Sequence, residues 1–248
     1  IKFTNKLFSL SFNRLNNVDF FYHTTVIKNI DKQKIFSERL PKPMKLSNAD
    51  VGLLTDAIKK TMVLYVRETD PSTYLETKSL LYYTLERGIS IALFGMTEER
   101  QLPLETYVGY TLFKNGIPIS YGGSWVFGSF ARFGINVFDP YRGGESELIM
   151  AQLLRTYTQV FGLQTIEIES YQIGNNNEDG IKSGAYWFYY KFGFRSNDKH
   201  LQTLAKDEFE KIRMDKNYRT SENKLLALAK DNMTLSLDGK LHPYIITY

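Results

Sequence analysis

The sequence of 248 residues contains no cysteine and only three histidines. The absence of cysteine excludes a disulfide, a thiolate zinc site and a cysteine nucleophile. His23, His200 and His242 are far apart in the sequence, which argues against a histidine metal cluster or a Ser-His-Asp triad. We therefore expect any catalysis to rely on carboxylates, hydroxyls and basic groups, with no metal site.

Long apolar runs are also missing. The longest, residues 89–96, is far shorter than the roughly 18 residues that span a bilayer, and no signal-peptide pattern opens the chain. Because the chain begins at Ile1 without a methionine, we expect a processed or truncated start. Together with the lack of cysteine, these features predict a soluble, cytoplasmic protein without a membrane span, and they leave the oligomeric state open.

The net charge is mildly basic. The chain has 31 Lys and Arg against 27 Asp and Glu, which gives a formal charge of +4 and a pI of about 9.0. This excess suits an anionic ligand but falls short of the basic stripe of a nucleic-acid-binding domain. Hydrophobic residues make up 43% and aromatic residues 15% of the chain, enough for a sizeable core.

Local signals divide the chain into three predicted segments. Residues 1–46 form an N-terminal extension that ends in the proline-containing linker 40–43, residues 47–196 form the main domain, and residues 197–248 form a helical extension packed on it. Ser47 followed by Asp50 predicts a capped helix start.

Helix and strand signals alternate within the main domain. Residues 73–87 are predicted to be helical, and the apolar run 89–96 predicts a strand buried on both faces. Segments 107–113 and 117–127 flank Asn115-Gly116, the strongest short hairpin signal. Pro118 indicates an edge or a bulge at the start of the second strand, and Gly122-Gly123 indicate another bulge.

Residues 132–155 combine strand, turn and helix signals. The alternating apolar strand 132–138 is followed by Arg142-Gly143-Gly144 and by a helix predicted over residues 144–161, with Gly162 as its C-terminal cap. Consecutive glycines let the backbone approach a ligand, and the unpaired N–H groups of a first helical turn suit a phosphate. The stretch predicts an anion site.

A strand is predicted at residues 164–170, and we expect it to be parallel to the strand at residues 132–138 and joined to it by the helix. A polar loop is predicted over residues 174–180, and a second motif follows. It closes an aromatic helix with the spacing Ala185, Tyr189, Lys191, Gly193, Phe194. In this order and separation, the two motifs resemble the GNAT N-acyltransferase superfamily over residues 89–196. The resemblance implies an α/β fold of the GNAT type, with a mixed, largely antiparallel central sheet flanked by helices.

The resemblance also implies a donor site for acetyl-CoA or another acyl-CoA, formed by Asn136, Val137, Phe138, Arg142, Gly143, Gly144, Glu145 and Ser146. The family's turn, Arg/Gln-x-x-Gly-x-Gly/Ala, carries Glu145 and Glu147 here in place of its two small residues. Two interpretations stay open. In the first, a donor is bound and both carboxylates turn outward beside it. In the second, no ligand is bound and each carboxylate stabilises the helix by about 0.3–1 kcal/mol through its interaction with the helix dipole.

Three side chains are candidates for acid–base catalysis. In the superfamily a tyrosine of the aromatic helix protonates the departing thiolate, and its position corresponds to Tyr189; core packing is the alternative role. Glu167 and Glu169 project from one face of their strand, where a carboxylate can deprotonate an amine directly or through water. The residues that follow are candidates for substrate contact: Tyr171, Gln172 and Asn176.

The resemblance implies transfer of an acyl group, in the simplest case acetyl, to a small-molecule or peptide amine. Direct attack within a ternary complex fits, since no covalent nucleophile stands out. Two alternatives remain. One is an aminoacyl transferase resembling the Fem group, with aminoacyl-tRNA as partner, and the other is a non-catalytic GNAT-fold binding module that has lost the donor site.

Overall fold

The structure is a computed structural model that describes residues 20–22, 27, 30–67, 70–142 and 145–237. The chain forms two compact units. The first unit comprises Ile1–Phe127 with Ile135–Gly162, and the second comprises Gly128–Gly134 with Leu163–Tyr248. The predicted segments 1–46, 47–196 and 197–248 divide the chain differently and stay a prediction.

The first unit contains four strands that lie wholly within it, and four helices, among the described residues. The strands are β1 (Leu81–Thr84), β2 (Ile89–Gly95), β3 (Thr106–Lys114) and β4 (Ile117–Phe127). The helices are α1 (Lys32–Ser37), α2 (Asn48–Leu64), α3 (Asp70–Thr73) and α4 (Ser146–Phe161). Short 3-10 turns cover Thr77–Ser79, Glu86–Gly88, Glu98–Arg100 and Asp139–Tyr141.

The second unit contains three whole strands and five helices within the part of the chain that the structure describes. Its strands are β6 (Thr165–Ile168), β7 (Arg195–Ser196) and β8 (Met233–Ser236), and β5 (Phe130–Val137) passes from this unit into the first. Its helices are α5 (Ser170–Ile173), α6 (Glu178–Ser183), α7 (Ala185–Phe192), α8 (Lys199–Met214) and α9 (Glu222–Leu228).

Strands β1 to β4 pair antiparallel in sequence order. The turn between β3 and β4 is the predicted Asn115-Gly116, with φ of +49° and +75°, the pair of positive φ values that a type I′ hairpin needs. The register of these strands shifts between Leu112 and Phe113, opposite the start of β4. The irregularity predicted at Pro118 is therefore confirmed.

The bulge predicted at Gly122-Gly123 is wrong, because both residues pair regularly with β3. Their lack of side chains has a packing reason instead. A Cβ added at Gly123 would collide with the ring of Tyr107, and one added at Gly109 would collide with the ring of Phe94. Gly109 and Gly123 make room for aromatic rings that lie across the sheet.

Helix α2 begins at the predicted capping box. The Ser47 hydroxyl accepts from the Asp50 N–H at 3.2 Å, and the Asp50 carboxylate accepts from the Ser47 N–H at 3.3 Å. The helix packs on the sheet through Leu54 and Ile58, which share a buried cluster with residues of β1, β2 and β3. Strand β2 is buried throughout except for its last residue, as its apolar run predicted.

The helix predicted over residues 73–87 is wrong. Within that stretch the chain forms β1, whose residues Leu81–Thr84 pair with Ser90–Leu93 of β2. Tyr82 and Tyr83 are buried, and the Tyr82 hydroxyl lies 2.6 Å from the Ser90 hydroxyl. Strand pairing and aromatic burial therefore outweigh the weak helical spacing of the leucines.

Helix α4 carries a buried arginine. Arg155 is 2% exposed, and its guanidinium donates to the carbonyls of Glu38 and Arg39, both at 2.9 Å. One of its nitrogens also lies 3.4 Å from a Glu86 carboxylate oxygen and 3.1 Å from the Gln152 amide oxygen. A single guanidinium thus joins the N-terminal segment, the turn between β1 and β2, and α4.

The same helix contacts the N-terminal segment one turn later. The Gln159 amide donates to the Glu38 carbonyl at 2.8 Å and accepts from the Leu40 N–H at 2.9 Å. The helix then ends where predicted, at Gly162 with φ of +65°. Its opposite side reaches β3, where the Tyr157 hydroxyl donates to the Val108 carbonyl at 2.8 Å.

Strands β5 and β6 are parallel, as predicted, with Phe130–Arg132 opposite Thr165–Glu167. The register covers only these three residues of β5. Strand β6 also pairs antiparallel with β8, and β8 pairs antiparallel with β7. The C-terminal extension, predicted as helical, therefore also supplies a strand, while its predicted turn at Asp238-Gly239 lies outside the described residues.

The polar loop predicted over residues 174–180 is shorter than expected. It runs from the end of α5 at Ile173 to the start of α6 at Glu178. Asn177 ends it by capping α6, because its side-chain oxygen accepts from the Gly180 N–H at 3.2 Å.

Helix α8 carries a buried carboxylate. Glu208 accepts from the ammonium groups of Lys211 at 2.7 Å and Lys224 at 2.6 Å, and from the Tyr218 hydroxyl at 2.5 Å. Burial acts to raise the pKa of Glu208, but these three hydrogen bonds outweigh it and lower the pKa to about 2. Glu208 thereby links α8 to the following turn and to α9.

These pairings confirm the predicted fold class, α/β with a mixed and largely antiparallel arrangement of strands flanked by helices. The pair β5–β6 is parallel, and the other pairs given above are antiparallel. Across the described ranges, no helix combines the length and apolar character needed to cross a membrane.

We expect Arg155→Met to lower the free energy of unfolding by about 2–4 kcal/mol, because the guanidinium hydrogen bonds that join the Glu38 and Arg39 carbonyls to α4 are lost. Urea unfolding followed by circular dichroism measures this change. Residues 30–40 should also become more sensitive to trypsin, since their link to α4 is lost.

Arg213→Met is the matched control for that experiment. Arg213 is exposed and pairs at 2.9 Å with Glu210, so its loss should change stability by less than about 0.5 kcal/mol. Equal stability of Arg155→Met and the parent would contradict the anchoring role of Arg155.

The lowered pKa of Glu208 predicts a pH dependence with a defined sign. Folding lowers this pKa from 4.5 to about 2, so the ionised carboxylate stabilises the fold above pH 4.5 and the stabilisation is lost as the pH falls toward 2. We expect Glu208→Gln to be less stable than the parent at pH 7 and to lose less stability between pH 4.5 and 2. Thermal unfolding across this range measures both effects.

Glu210→Gln, on the same helix but exposed, should keep the parent's pH profile. A parental profile for Glu208→Gln would show that Glu208 does not contribute to acid sensitivity.

Candidate functional site

The predicted anion site lies at the start of α4. Arg142 is the last residue described before it, Gly143 and Gly144 lie outside the described residues, and Ser146 is the first residue of the helix. Glu145 occupies the N-cap position, and its side chain makes no capping hydrogen bond. The carboxylate of Glu145 therefore does not compete with an anion for the N–H groups of the first turn.

The expectation that Glu145 turns outward is wrong. Its side chain is 10% exposed and pairs with Arg87 at 2.6 Å and with Lys114 at 3.0 Å. Burial acts to raise the pKa of Glu145, but the hydrogen bonds from Lys114 and Arg87 outweigh burial and hold the pKa below its ordinary value. Two cations thus lie beside the start of α4, held by one carboxylate. Glu147 forms no ion pair with a described residue and is half-buried.

The two cations are held from a second side by the N-terminal segment. The Phe21 ring centroid lies 4.7 Å from the Arg87 guanidinium carbon and 5.3 Å from the Lys114 ammonium. Phe21 is fixed by the hairpin turn, since its N–H donates to the Asn115 side chain at 2.9 Å and its carbonyl accepts from that side chain at 3.0 Å. Arg87 itself adopts φ of +60°, which is uncommon outside glycine.

Arg142 is directed back along the chain. Its guanidinium lies 3.1 Å from the Asp139 carboxylate and donates to the Val137 carbonyl at 3.3 Å. The side chain is 58% exposed, so its charge is accessible at the surface. Asp139 offsets part of this charge.

The end of β5 carries the other residues assigned to the donor site. Asn136 is exposed, Val137 is half-buried, and both lie beyond the three residues of β5 that pair with β6. Phe138 is buried, and its ring stacks on Tyr65 at 4.2 Å and on Tyr121 at 5.1 Å. Asn136 and Val137 are therefore available to a ligand, whereas Phe138 supports them from the core.

The two glutamates of β6 differ in their surroundings, and both contact Arg132. Glu167 is buried, and its carboxylate accepts from the Arg132 guanidinium at 2.8 Å. Glu169 follows the strand, is 51% exposed, and lies 3.6 Å from the same guanidinium. The pairing of neighbouring strands places Arg132 directly opposite Glu167. The buried carboxylate has the partner it needs, and the exposed one is the more accessible to a substrate.

Tyr189 lies on α7, which runs between Gly184 and Gly193, both in the left-handed region. Its ring is buried and packs edge-on against Phe188 and Phe194. Burial raises the pKa of the Tyr189 phenol well above its ordinary value, so the group stays protonated at neutral pH. This is the protonation state that a general acid needs.

The other tyrosines of α7 belong to a separate aromatic cluster. Tyr186 and Tyr190 stack with ring centroids 6.2 Å apart, and the Arg195 guanidinium carbon lies 3.6 Å from the Tyr190 ring centroid. Tyr190 also packs on Phe209 of α8 at 4.9 Å. Tyr186 packs with Trp187 and Tyr190.

The residues predicted to contact substrate lie on and after α5. Tyr171 is exposed, and Gln172 is half-buried. Asn176 is exposed, has φ of +53°, and lines a cavity of the second unit to which Tyr171 and Gln172 do not contribute. The structure therefore does not bring these three side chains together in that cavity.

Three functional candidates were missed by sequence reasoning: Arg87, Lys114 and Arg132. Each is a single basic residue on or beside a strand, and its carboxylate partner is at least 31 residues away in the sequence. No local pattern identifies such a pair. For Arg132 a signal existed in the predicted parallel strands, since their register decides which residues face each other.

The site thus belongs to an α/β protein with a strand, a basic turn, a helix and a parallel strand in succession. No protein-family model matches the chain, and no curated protein matches it.

Among solved structures, the chain is similar to a GNAT family acetyltransferase from Elizabethkingia anophelis with acetyl-CoA bound. The identity is 16% over 59% of this chain and 98% of that one, with a TM-score of 0.32. It is also similar to a mutant of a cAMP-binding acyltransferase from Mycobacterium smegmatis, at 11% identity over 47% of this chain and 44% of that one, with a TM-score of 0.26. Similarities of this size carry no information on activity or ligands.

We expect Glu145→Gln to strengthen the binding of inorganic pyrophosphate and of coenzyme A about tenfold. The substitution leaves Arg87 and Lys114 without their countercharge beside the positive end of α4. Calorimetry at fixed ionic strength measures the affinities.

Glu147→Gln removes the same charge two residues further along, without breaking a contact to either cation, and should have a smaller effect. Unchanged or weaker binding by a folded Glu145→Gln variant would show that the two cations serve the fold alone.

Proposed function

We propose that the chain is an N-acyltransferase that transfers an acyl group, acetyl in the simplest case, from acyl-CoA to an amine by direct attack in a ternary complex. The observation that carries this proposal is the succession β5, basic turn, α4 and β6, with β5 and β6 parallel over Phe130–Arg132 and Thr165–Glu167. The residues proposed to bind the donor lie in the first unit, and those proposed to transfer protons lie in the second.

The donor side of the proposal rests on the start of α4 and the end of β5. The first-turn N–H groups would bind the phosphates of the coenzyme, because the Glu145 side chain does not cap them. The exposed Arg142 guanidinium would add a second contact to the phosphates. Asn136 and Val137 lie beyond the three residues of β5 that pair with β6. The backbone of such a strand segment can bind the amide groups of the pantetheine arm as it would bind another strand. Bound acyl-CoA supplies a thioester whose carbonyl carbon is open to an amine.

The base in this proposal is Glu169. Its carboxylate is half-exposed, so an amine or a bridging water can reach it, whereas Glu167 is buried against Arg132 at 2.8 Å. We assign Glu167 a positioning role: it holds Arg132, and Arg132 in turn contacts Glu169 at 3.6 Å. A base needs this accessibility because the proton leaves a substrate that comes from solvent.

The acid in this proposal is Tyr189. Its phenol is protonated at neutral pH, as a tyrosine with an ordinary or raised pKa is, and in this proposal it gives its proton to the sulfur that departs from the thioester. Tyr186 and Tyr190 are less suited, because they stack with each other and Tyr190 lies under the Arg195 guanidinium.

One observation favours a second candidate, a non-catalytic module with the same fold. Glu145 offsets one of the two positive charges of Arg87 and Lys114 beside the helix start, which lowers the positive potential that an anionic donor would use. The Fem-type reaction with aminoacyl-tRNA differs from both, since its RNA binding would weaken steeply with salt.

We expect Tyr189→Phe to lower turnover about 10²-fold or more, because it removes the hydroxyl and keeps the packed ring. The assay is release of free thiol from acetyl-CoA in the presence of a panel of small amines, with calorimetry of acetyl-CoA as the binding readout. Affinity for acetyl-CoA should stay within about twofold of the parent, since a general acid acts after binding.

Tyr190→Phe is the matched control on the same helix and should keep parental turnover. Arg142→Ala should raise the Kd of acetyl-CoA and leave turnover at saturation largely unchanged. Parental turnover of Tyr189→Phe would leave this tyrosine as core, and failure of the parent to bind acetyl-CoA would favour the non-catalytic module.

A further inference from the structure

The second unit contains a cavity that no residue role given above explains. Its volume is about 940 Å³, at the upper end of the roughly 300–1,000 Å³ typical of small-molecule sites. It is formed by the loop after α5, by α6 and α7, and by the turn that leads into α9. The cavity lies wholly within the second unit.

The lining includes one exposed and two buried aliphatic side chains. Leu226 is an exposed leucine of α9, and Ile181 and Leu225 line the same cavity. The Trp187 indole also lines the cavity, and it stacks on Phe209 with ring centroids 5.8 Å apart. These side chains offer a firm apolar surface to an aliphatic group.

Two polar atoms of the lining lack hydrogen-bond partners. The Trp187 Nε1 and the Thr220 Oγ1 are buried and make no hydrogen bond to any described residue. Both atoms are inaccessible to solvent, so they lie behind the accessible wall of the cavity and do not themselves indicate a ligand.

Some charged side chains of the lining form an ion pair with a described residue and others do not. Lys182 and Glu178 pair with each other at 2.8 Å. Arg219, in contrast, is held by the carbonyls of Lys216 and Tyr218, both at 2.8 Å, and no carboxylate of a described residue lies within 4.0 Å of its guanidinium.

Glu222 adds the opposite charge to the same lining. It forms no ion pair with a described residue within 4.0 Å, and its side chain is exposed at the start of α9. The cavity therefore presents one cation and one anion, each without a close ionic partner in the described chain, beside an apolar surface. A ligand that carries both charges and an aliphatic group matches all three features.

We propose that this cavity binds a short zwitterionic peptide with apolar side chains, with its carboxylate at Arg219, its ammonium at Glu222 and its side chains against Leu226 and Trp187. A dipeptide fills more of the cavity volume than a single amino acid does. The proposal is independent of acyl transfer, because it concerns binding alone.

The test uses the full chain and leucyl-leucine as the probe. The chain has two tryptophans, so the indole N–H signal of Trp187 in a ¹⁵N correlation spectrum is identified as the one that persists in Trp125→Phe. We expect leucyl-leucine to shift this signal saturably. N-acetyl-leucyl-leucine, which lacks the ammonium, and leucyl-leucinamide, which lacks the carboxylate, should both bind more weakly.

Arg219→Gln should weaken the binding of leucyl-leucine about tenfold, in line with the loss of a charge-assisted hydrogen bond. Arg213→Gln is the matched control, because Arg213 is an exposed arginine outside the cavity lining, and it should bind as the parent does. The proposal is overturned if the Trp187 signal does not respond saturably. Parental affinity of Arg219→Gln, or equal binding of the two analogues and leucyl-leucine, would overturn it as well.

Discussion

The first unit depends on how one buried positive charge is accommodated. Arg155 is almost completely withdrawn from water, and burying a guanidinium costs several kcal/mol unless acceptors surround it. Those acceptors are the carbonyls of Glu38 and Arg39, the amide of Gln152 and the carboxylate of Glu86. They come from three parts of the chain, so the charge is tolerated only when all three are in place. The need to surround one buried guanidinium with acceptors therefore holds together segments that are far apart in the sequence.

The same requirement extends to the candidate donor site. Glu86, which contacts Arg155, is followed directly by Arg87, which adopts a left-handed conformation and pairs with Glu145 at the start of the helix. The turn between β1 and β2 is thus attached to α4 both at its middle and at its start. The charge balance at the helix start is consequently part of the architecture of the fold, and a ligand that altered it would act on the same contacts.

What the sequence predicts depends on how local the deciding interaction is. The capping box at Ser47 and the hairpin at Asn115-Gly116 follow from neighbouring residues, and both were predicted correctly. The helix expected over residues 73–87 was wrong because pairing with β2 decided its structure. Glu145 turns inward to pair with Arg87, which lies 58 residues away in the sequence. The periodicity of a helix or a strand does not encode a contact over that distance. The tyrosine chosen on α7 rests on spacing alone, and its role stays a prediction.

Strand β5 belongs partly to each compact unit, which has a consequence for fragments of this protein. A fragment that begins at Leu163 would contain most of the second unit but lack Phe130–Arg132, the parallel neighbours of β6. Glu167 would then lose the 2.8 Å hydrogen bond from the Arg132 guanidinium, so a buried carboxylate of β6 would lose a cationic partner. Neither unit can be excised by a single cut, and truncation is a poor route to studying either unit alone.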